Sequence, residues 1–365
     1  MQLEYILPTL VTLPRGGGNS DIPVLRFGMI GFNASQRQQI VRSVAALPVQ
    51  TPKWQPAVMA DADAWLVCGE KTRTLPTSTT KGSDSLRILA GLPSERAVTL
   101  NLHQIDRPLA FSLPLHDPAL EPLFTFEVAS LNGVEMVLKQ LEVCLQSLRS
   151  QLTLGKQLIE RETELKATTY HVLCGGKLLA VMDFISWKIG MRPDTDPQQF
   201  ENAVWKKRPA EAHAIPGNFL MTNVAQLRWI YARHTMRDIL PRRYRHSLIY
   251  LRQSPLIPVS WLTDSHLLLI HELSMQPSNF VNLAERKGLS HEQLTRDLAS
   301  LFFAASLTTT PEKAAQARAV KAQKMSNYAK NSAGSPSSIF NSTLTPEDGM
   351  VSTQDVTVAA QLRPE

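Results

Sequence analysis

The sequence has few of the residue groups with which proteins hold metals, form disulfides or cross membranes. Its 365 residues include three cysteines, Cys68, Cys144 and Cys174, which lie far apart and match no metal-ligand spacing. An odd number of isolated thiols favours a reducing compartment, so we expect a cytoplasmic protein. No apolar run approaches the roughly 20 residues that a membrane helix needs, so we expect no membrane span.

Catalytic signatures are also missing. The nine histidines are scattered, and no motif pairs a nucleophile with a base. His266 and His271 fall on a leucine-rich segment, where half-buried structural histidines are common, and Asp264 is placed to cap a helix. We therefore expect no catalytic residues, no metal site, no cofactor and no enzymatic activity.

What the sequence does contain is one long periodic stretch, predicted as a connector helix over residues 131–167. Apolar residues there alternate in steps of three and four, which keeps one side of a helix facing a partner. Asn132 is predicted to cap this helix. Two interpretations stay open: the last helix of a domain, or a dimer or signalling helix. The seam consists of Leu131, Val134, Leu138, Leu141, Leu145, Leu148 and Leu152.

The front module, residues 24–130, follows an irregular lead-in over residues 1–23. Short apolar runs alternate with a helical pattern, and a Thr/Ser-rich loop is predicted over residues 72–83. This alternation predicts a doubly wound α/β sheet. The predicted strands are Val24–Ile30, Ala57–Met59, Ala64–Cys68, Ala97–Leu102 and Pro108–Leu113, and the predicted helix runs from Gln36 to Leu47.

In its order of elements, the stretch 24–152 resembles the receiver domain of bacterial response regulators, which has a flavodoxin-like sheet. The resemblance implies a bacterial signalling protein. Receiver chemistry needs acidic residues after the first strand, an aspartate after the third and a lysine after the fifth. Here these places hold Gly31–Asn33, Val67–Gly69 and Phe111–His116. Because a carboxylate nucleophile and cation ligands are missing, we expect a pseudo-receiver that cannot be phosphorylated.

The first part of the back module, residues 168–260, is predicted to be rich in strands. Two strand-like runs flank Gly175-Gly176, which predicts a β-hairpin. A helix is predicted over residues 223–234 and a short strand over residues 247–251.

The second part, residues 261–310, is predicted to be helical. Helices are expected over residues 264–274 and 279–287, and a capping box at Ser290 opens a third. This layout is similar to a winged helix, with the wing beginning near Thr308. The last stretch, residues 311–365, is predicted to be a disordered tail because it contains too few apolar residues to form a core, with a marginal helix over its Ala/Lys/Gln-rich residues 312–330.

Arginines are concentrated upstream of the predicted helical part and are interleaved with aromatic residues. Arg233 and Arg237 are four residues apart, so on one helix they would grip neighbouring phosphates. The alternative is a solvated basic surface. A weaker site of the same kind is Lys206-Lys207-Arg208 beside Trp205. The candidate ligand-binding arginines are Arg233, Arg237, Arg242, Arg243, Arg245 and Arg252.

Together these features predict a non-enzymatic cytoplasmic regulator that binds protein partners, a second copy of itself included. Two alternatives stay open. The helical layout and the arginines also suit a DNA-binding transcription regulator. The arginines alone suit a receptor for a cyclic dinucleotide or another phosphorylated ligand. Nucleotide binding at Gly28 and Gly31 is a weaker interpretation, since neither the dinucleotide fingerprint nor a P-loop is present.

Overall fold

The computed structural model describes residues 23–48, 53–74, 85–88, 98–101, 105–209, 212–317 and 319. These residues divide into two compact units. The first contains the described residues up to Asn223 together with His234–Arg237, and the second contains Val224–Arg233 and the described residues from Asp238 onwards. The predicted lead-in before residue 23 lies outside the described residues, as does the predicted tail from residue 320. Residues 311–317 are helical, at the start of the stretch where the sequence predicts a marginal helix.

The first unit begins with a five-stranded parallel sheet. Its strand order is β2-β1-β3-β7-β8, which corresponds to the order 2-1-3-4-5 of flavodoxin-like sheets. The α/β prediction is therefore confirmed at the level of the sheet. In chain order, the strands of this part are β1 (Val24–Ile30), β2 (Lys53–Pro56), β3 (Ala64–Val67), β4 (Thr72–Thr74), β5 (Ser85–Ile88), β6 (Val98–Asn101), β7 (Leu109–Leu113) and β8 (Thr125–Glu127).

One connection between these strands agrees with the prediction and another differs from it. Helix α1 (Ala34–Ala46) follows β1, as predicted, and begins with a complete capping box between Asn33 and Gln36. Between β3 and β7, where a loop was predicted, the chain forms a small antiparallel sheet of β4, β5 and β6. Thr72–Thr74 therefore forms a strand rather than the predicted loop, and the strand predicted near residue 98 belongs to this second sheet.

One predicted strand is wrong. Ala57–Met59 is not a strand, because β2 ends at Pro56 and Met59–Asp61 forms a 3-10 turn. Val58 lies in this connection and is exposed to solvent. Its apolar character therefore did not indicate burial, which is what the prediction had assumed.

The predicted connector is two helices rather than one. Helix α2 (Leu131–Cys144) and helix α3 (Gln146–Glu160) are separated at Leu145, whose backbone leaves helical geometry at φ −91° and ψ 15°. The cap of α2 is Ser130, whose hydroxyl accepts the N–H of Gly133, and not the predicted Asn132. Helix α2 packs against α1, β7 and β8.

The first unit also contains a five-stranded antiparallel sheet in the order β12-β9-β10-β11-β13. The predicted hairpin is confirmed: β9 and β10 pair across Gly175 and Gly176, which have φ of 56° and 79°. Two positive φ angles are the geometry of the tight turns that glycine favours between strands. In chain order, the elements here are β9 (Thr169–Cys174), β10 (Lys177–Asp183), β11 (Lys188–Met191), α4 (Pro197–Glu201), β12 (Val204–Arg208) and β13 (Leu220–Asn223).

The second unit is mainly helical. Gly288, with φ of 60°, ends α8, and Ser290 caps α9 by accepting the N–H of Gln293. The three predicted helices are confirmed, while their assignment to a winged helix stays a prediction. The elements from residue 224 onwards are α5 (Val224–His234), α6 (Arg243–His246), β14 (Tyr250–Leu251), α7 (Asp264–Met275), α8 (Phe280–Lys287), α9 (His291–Phe303) and β15 (Leu307–Thr308), with β14 antiparallel to β15.

Candidate functional site

The carboxyl ends of β3 and β7 are joined by hydrogen bonds. Sheets of this kind bind ligands beyond the carboxyl ends of their strands, so this edge is the first place to look for a site. The Gly69 N–H donates to Ser112 Oγ at 3.2 Å, and the His116 N–H donates to the Gly69 carbonyl at 3.1 Å. The chain leaving β3 is thus fixed against the chain leaving β7.

The contact at Gly69 is too close for any side chain. A Cβ atom there would lie 2.1 Å from the Ser112 carbonyl oxygen and 2.8 Å from Leu115 Cδ2. Such distances are far below van der Waals contact, so the backbones meet where another sheet of this type would hold a ligand. Cys68, the residue before Gly69, is buried and forms no disulfide, so it packs as a small core residue.

Acidic residues do not gather at this edge. Within the described ranges, no group of three or more His, Cys, Asp or Glu could hold a metal ion. Asp117 lies nearby, but its carboxylate accepts the hydroxyl and the N–H of Thr74 and the N–H of Ala119. The Thr74 hydroxyl is the main cause that lowers the pKa of Asp117. This carboxylate orders a loop.

The seam predicted as a dimer contact is mostly internal to the chain. Leu131 is exposed and Leu148 is half-buried, but Val134, Leu138, Leu141, Leu145 and Leu152 are buried within the single chain. Next to the seam residue Leu141, Glu142 Oε1 accepts the indole N–H of Trp54 at 2.9 Å, which ties the helix to β2. The prediction of a dimer seam is therefore wrong, and the alternative of a packed domain helix describes α2.

Arg233 and Arg237 do not share a helical face. Helix α5 ends at His234, so Arg237 lies beyond its last turn. Arg237 Nη1 lies 3.4 Å from Glu160 Oε1 and belongs to the first unit, whereas the other five candidate arginines belong to the second. The expected pair of phosphate ligands at i and i+4 is absent from this helix.

Two of the remaining arginines are held by protein groups. Arg245 pairs with the Asp238 carboxylate and lies over the Phe280 ring, 5.4 Å from its centroid. Arg243 lies over Tyr244 at 5.5 Å and over Phe302 at 6.0 Å. These guanidinium groups contribute to packing, which agrees with the alternative of arginine stems lying on the surface.

Arg242 and Arg252 differ in their surroundings. Arg242 is exposed before α6, whereas Arg252 is half-buried and its N–H donates to the Ser306 carbonyl at 2.7 Å. Tyr244 lies between them in the chain and donates its hydroxyl to the Leu307 carbonyl at 3.2 Å. Burial raises the pKa of Tyr244 to about 12, so this ring is an uncharged core group.

The basic side chains of β12 are exposed and form no ion pairs with other described residues. They are Lys206, Lys207 and Arg208. The neighbouring Trp205 is held by Gln157, whose Oε1 accepts the indole N–H at 3.0 Å. On sequence alone this group ranked below the arginines, but its charges are the more accessible.

His266 is more deeply buried than its sequence context predicted, with 1% of its surface exposed. Its ring lies 4.6 Å from the ring of Trp229, and its Nδ1 accepts the N–H of Thr263 at 3.3 Å, which caps α7. The predicted cap, Asp264, is thus replaced by Thr263. Burial, and secondarily Arg233, lowers the pKa of His266 to about 3, so the ring is neutral beside Asp297.

The sequence did not predict a buried pair between Asp63 and His234. Asp63 Oδ1 lies 3.0 Å from His234 Nε2, and Asp63 Oδ2 accepts the N–H of Arg26 at 2.8 Å. Asp63 precedes β3, and 171 residues separate it from His234. The only local signal was a carboxylate between Ala62 and Ala64, which are both buried.

Comparisons with known proteins leave the chain without a family assignment. No family model matches it, and no curated protein or solved structure does either. In the part of the chain that the structure describes, no helix combines the length and apolarity needed to cross a membrane. The function is therefore inferred from the geometry of the two units.

Proposed function

We propose that this chain is a non-enzymatic signalling protein that acts by binding other proteins and whose receiver-like unit has no phosphorylation chemistry. The observation that carries the proposal is the contact between Gly69 and the Ser112 carbonyl. It lies at the sheet edge where a receiver would hold its cation and accept phosphate.

Two features at this edge support the proposal. Aspartyl phosphorylation requires a carboxylate nucleophile, and the residues after β3 are the buried Cys68 and Gly69. It also requires oxygen ligands around a divalent cation. Asn33 occupies the corresponding position after β1, and its side chain is used to cap α1.

Exposed apolar side chains offer surface for protein partners. On α7, Leu267, Leu268 and Met275 are exposed on one side of the helix, and Met275 is 74% exposed. On α2, Met136 and Val143 face away from the buried seam and are also exposed. Apolar side chains grouped on a helix face suit protein contacts better than they suit a solvated surface.

Phosphodonor labelling tests the loss of receiver chemistry. The purified full chain is incubated with acetyl phosphate and Mg²⁺, with an active receiver domain as positive control, and intact mass is measured. We expect the mass of this chain to stay unchanged while the control gains a phosphoryl group. A phosphoryl adduct mapped to an aspartate within residues 24–152 would overturn the proposal.

Fluorescence anisotropy tests the DNA and dinucleotide alternatives. Because Arg237 and Arg245 already face carboxylates, we expect weak binding of labelled duplex DNA and no measurable binding of a cyclic dinucleotide. Tight DNA binding that falls steeply with salt would instead indicate contacts to the phosphate backbone. Its loss in an Arg242→Ala/Arg243→Ala variant would assign it to the arginines, and the regulator would then be a DNA-binding protein.

A further inference from the structure

Strand β12 is an exposed edge of the antiparallel sheet. Among the described strands it pairs with β9 alone, with Val204 opposite Leu173 and Arg208 opposite Thr169. Four of its five residues are exposed, and Val204, a large apolar residue, is 59% exposed. An edge strand of this kind presents unpaired backbone N–H and C=O groups to solvent.

The edge strand is held in position from within the unit. Trp205 Nε1 donates to Gln157 Oε1, and the Trp205 ring packs against Tyr170 at a centroid distance of 6.2 Å. The guanidinium of Arg161 also contacts this ring, at 5.6 Å from the Trp205 centroid. At the far end, the Arg208 carbonyl accepts the hydroxyl of Thr168 at 3.0 Å. A strand that is already ordered loses little conformational entropy when a partner binds.

Three successive side chains give this edge a free positive charge. Lys206 and Arg208 share one face of the sheet with Val204, while Lys207 lies on the opposite face, because side chains alternate along a strand. Two other cations of the same unit are neutralised: Arg192 pairs with Asp194 at 2.9 Å and Lys139 with Glu135 at 2.7 Å. The charge of β12 has no such partner among the described residues.

We propose that β12 binds an extended acidic segment of a partner protein, which adds to the sheet as a sixth strand. Its backbone would pair with the free edge, and its Asp or Glu side chains would pair with Lys206, Lys207 and Arg208. The inference rests on the proposed function and names the class of partner. Lysines on an edge also discourage pairing with neutral or basic strands, so the same residues reject other partners.

An acidic peptide fits this surface better than a nucleic acid does. A strand edge offers donors and acceptors at the spacing of an extended peptide backbone, which a phosphodiester chain cannot match. Val204, which shares the face of Lys206 and Arg208, adds an exposed apolar contact at the start of the edge.

The test uses a fluorescein-labelled peptide of about six residues with alternating Glu and Val, added to the full chain in an anisotropy titration. A peptide of the same sequence with N-methylated backbone amides measures the contribution of strand pairing. We expect the plain peptide to bind, and the N-methylated peptide and a Lys206→Glu/Arg208→Glu variant each to bind at least roughly tenfold more weakly. The matched control is Lys139→Glu, an exposed cation of α2, which should leave the affinity unchanged.

Each contrary outcome has a definite meaning. If neither peptide binds, or if the N-methylated peptide binds equally well, β12 does not add a strand and the proposal is overturned. Equal binding of a single-stranded oligonucleotide, lost in the same variant, would make the edge a phosphate-binding surface and would also overturn it. These outcomes leave the proposed function untouched when phosphodonor labelling is negative, whereas a phosphoryl adduct overturns that function whatever the peptide does.

Discussion

Replacing Asp63 with asparagine tests what fixes the segment His234–Arg237 to the first unit. Burial alone would raise the pKa of the Asp63 carboxyl, but the imidazole of His234 and the N–H of Arg26 outweigh burial and hold this pKa below its ordinary 3.8. The carboxylate is therefore charged in the folded protein at neutral pH. The substitution removes the negative charge that lies 3.0 Å from His234 Nε2.

The expected magnitude follows from burial. Breaking a buried pair by removing one partner costs about 3–5 kcal/mol, because the other group is left in a poorly solvated place. The amide oxygen introduced by the substitution would still accept the Arg26 N–H, a hydrogen bond worth about 1 kcal/mol. We therefore expect D63N to lower the free energy of unfolding of the first unit by about 2–4 kcal/mol.

The pH dependence gives an independent check of the same pair. Since the pKa of Asp63 is lower in the folded state than in the unfolded state, the pair contributes stability above pH 3.8 that is lost as pH falls through the folded pKa. D63N should reduce this loss of stability at acidic pH, because asparagine does not titrate. The wild-type protein should therefore lose more stability between about pH 5 and low pH than the variant does.

Urea denaturation, followed by hydrogen exchange of peptides that cover β1 and β3, reports on the first unit separately. The matched control is Asp194→Asn, which breaks an exposed pair with Arg192 and should change stability by less than about 1 kcal/mol. The reasoning is refuted if D63N changes the free energy of unfolding as little as this control does. It is also refuted if D63N loses as much stability at acidic pH as the wild-type protein.

Three further predictions concern the contact at Gly69, the seam residue Leu141 and the buried His266. Gly69→Ala should destabilise the first unit by about 1–3 kcal/mol in thermal denaturation, because its Cβ would collide with the Ser112 carbonyl. The control Gly217→Ala, whose Cβ meets open space, should leave the stability unchanged. Equal effects of the two substitutions would contradict the close contact at Gly69. Leu141→Ala should cost about 2–5 kcal/mol without changing the sedimentation of the protein, since Leu141 is buried within one chain; dissociation of a dimer would restore the seam interpretation. The NMR signals of His266 should not titrate between about pH 5 and 8, because its pKa in the folded protein is about 3. The stability of the second unit should fall as the pH drops from 6.5 towards 3, since the unfolded state binds the proton of His266 more readily than the folded state does. An NMR titration midpoint near pH 6.5 would contradict the burial of His266.

Elements whose signals are local could be predicted from the sequence. The apolar run of β1 was predicted with the observed bounds, and Gly175-Gly176 identified a hairpin because its two positive φ angles suit glycine. Ser290 and Gly288 marked the boundary between α8 and α9 for similar reasons. In each case the residue that decides the structure lies within a few positions of the feature it decides.

Elements that depend on tertiary packing could not be predicted in this way. Strand β8 is three residues long, too short to show an alternating pattern, and it is a strand because β7 pairs with it. The break at Leu145 contains neither proline nor glycine, and the seam continues through it without interruption. A seam of period 3.5 describes a helix face equally well whether it packs on its own sheet or on another chain.

The candidate site shows the same limit more strongly. Asp63 and His234 meet across 171 residues, and each lies in a sequence context that predicts nothing about the other. The Gly69 contact could not be predicted from the sequence either, since it depends on the separation between the ends of β3 and β7 rather than on any motif. Only the absence of acidic residues at the strand ends could be inferred beforehand.

The distribution of available charge favours β12 over the arginines as the place where a charged partner makes first contact. A guanidinium that already faces a carboxylate or an aromatic ring, as in Arg237, Arg243 and Arg245, must give up that contact before it binds a ligand, and this cost offsets the gain in affinity. Among the described residues, the ammonium groups of Lys206 and Lys207 have no such contact to lose. A count of charges along the sequence cannot distinguish these cases, because it weights paired and unpaired cations equally.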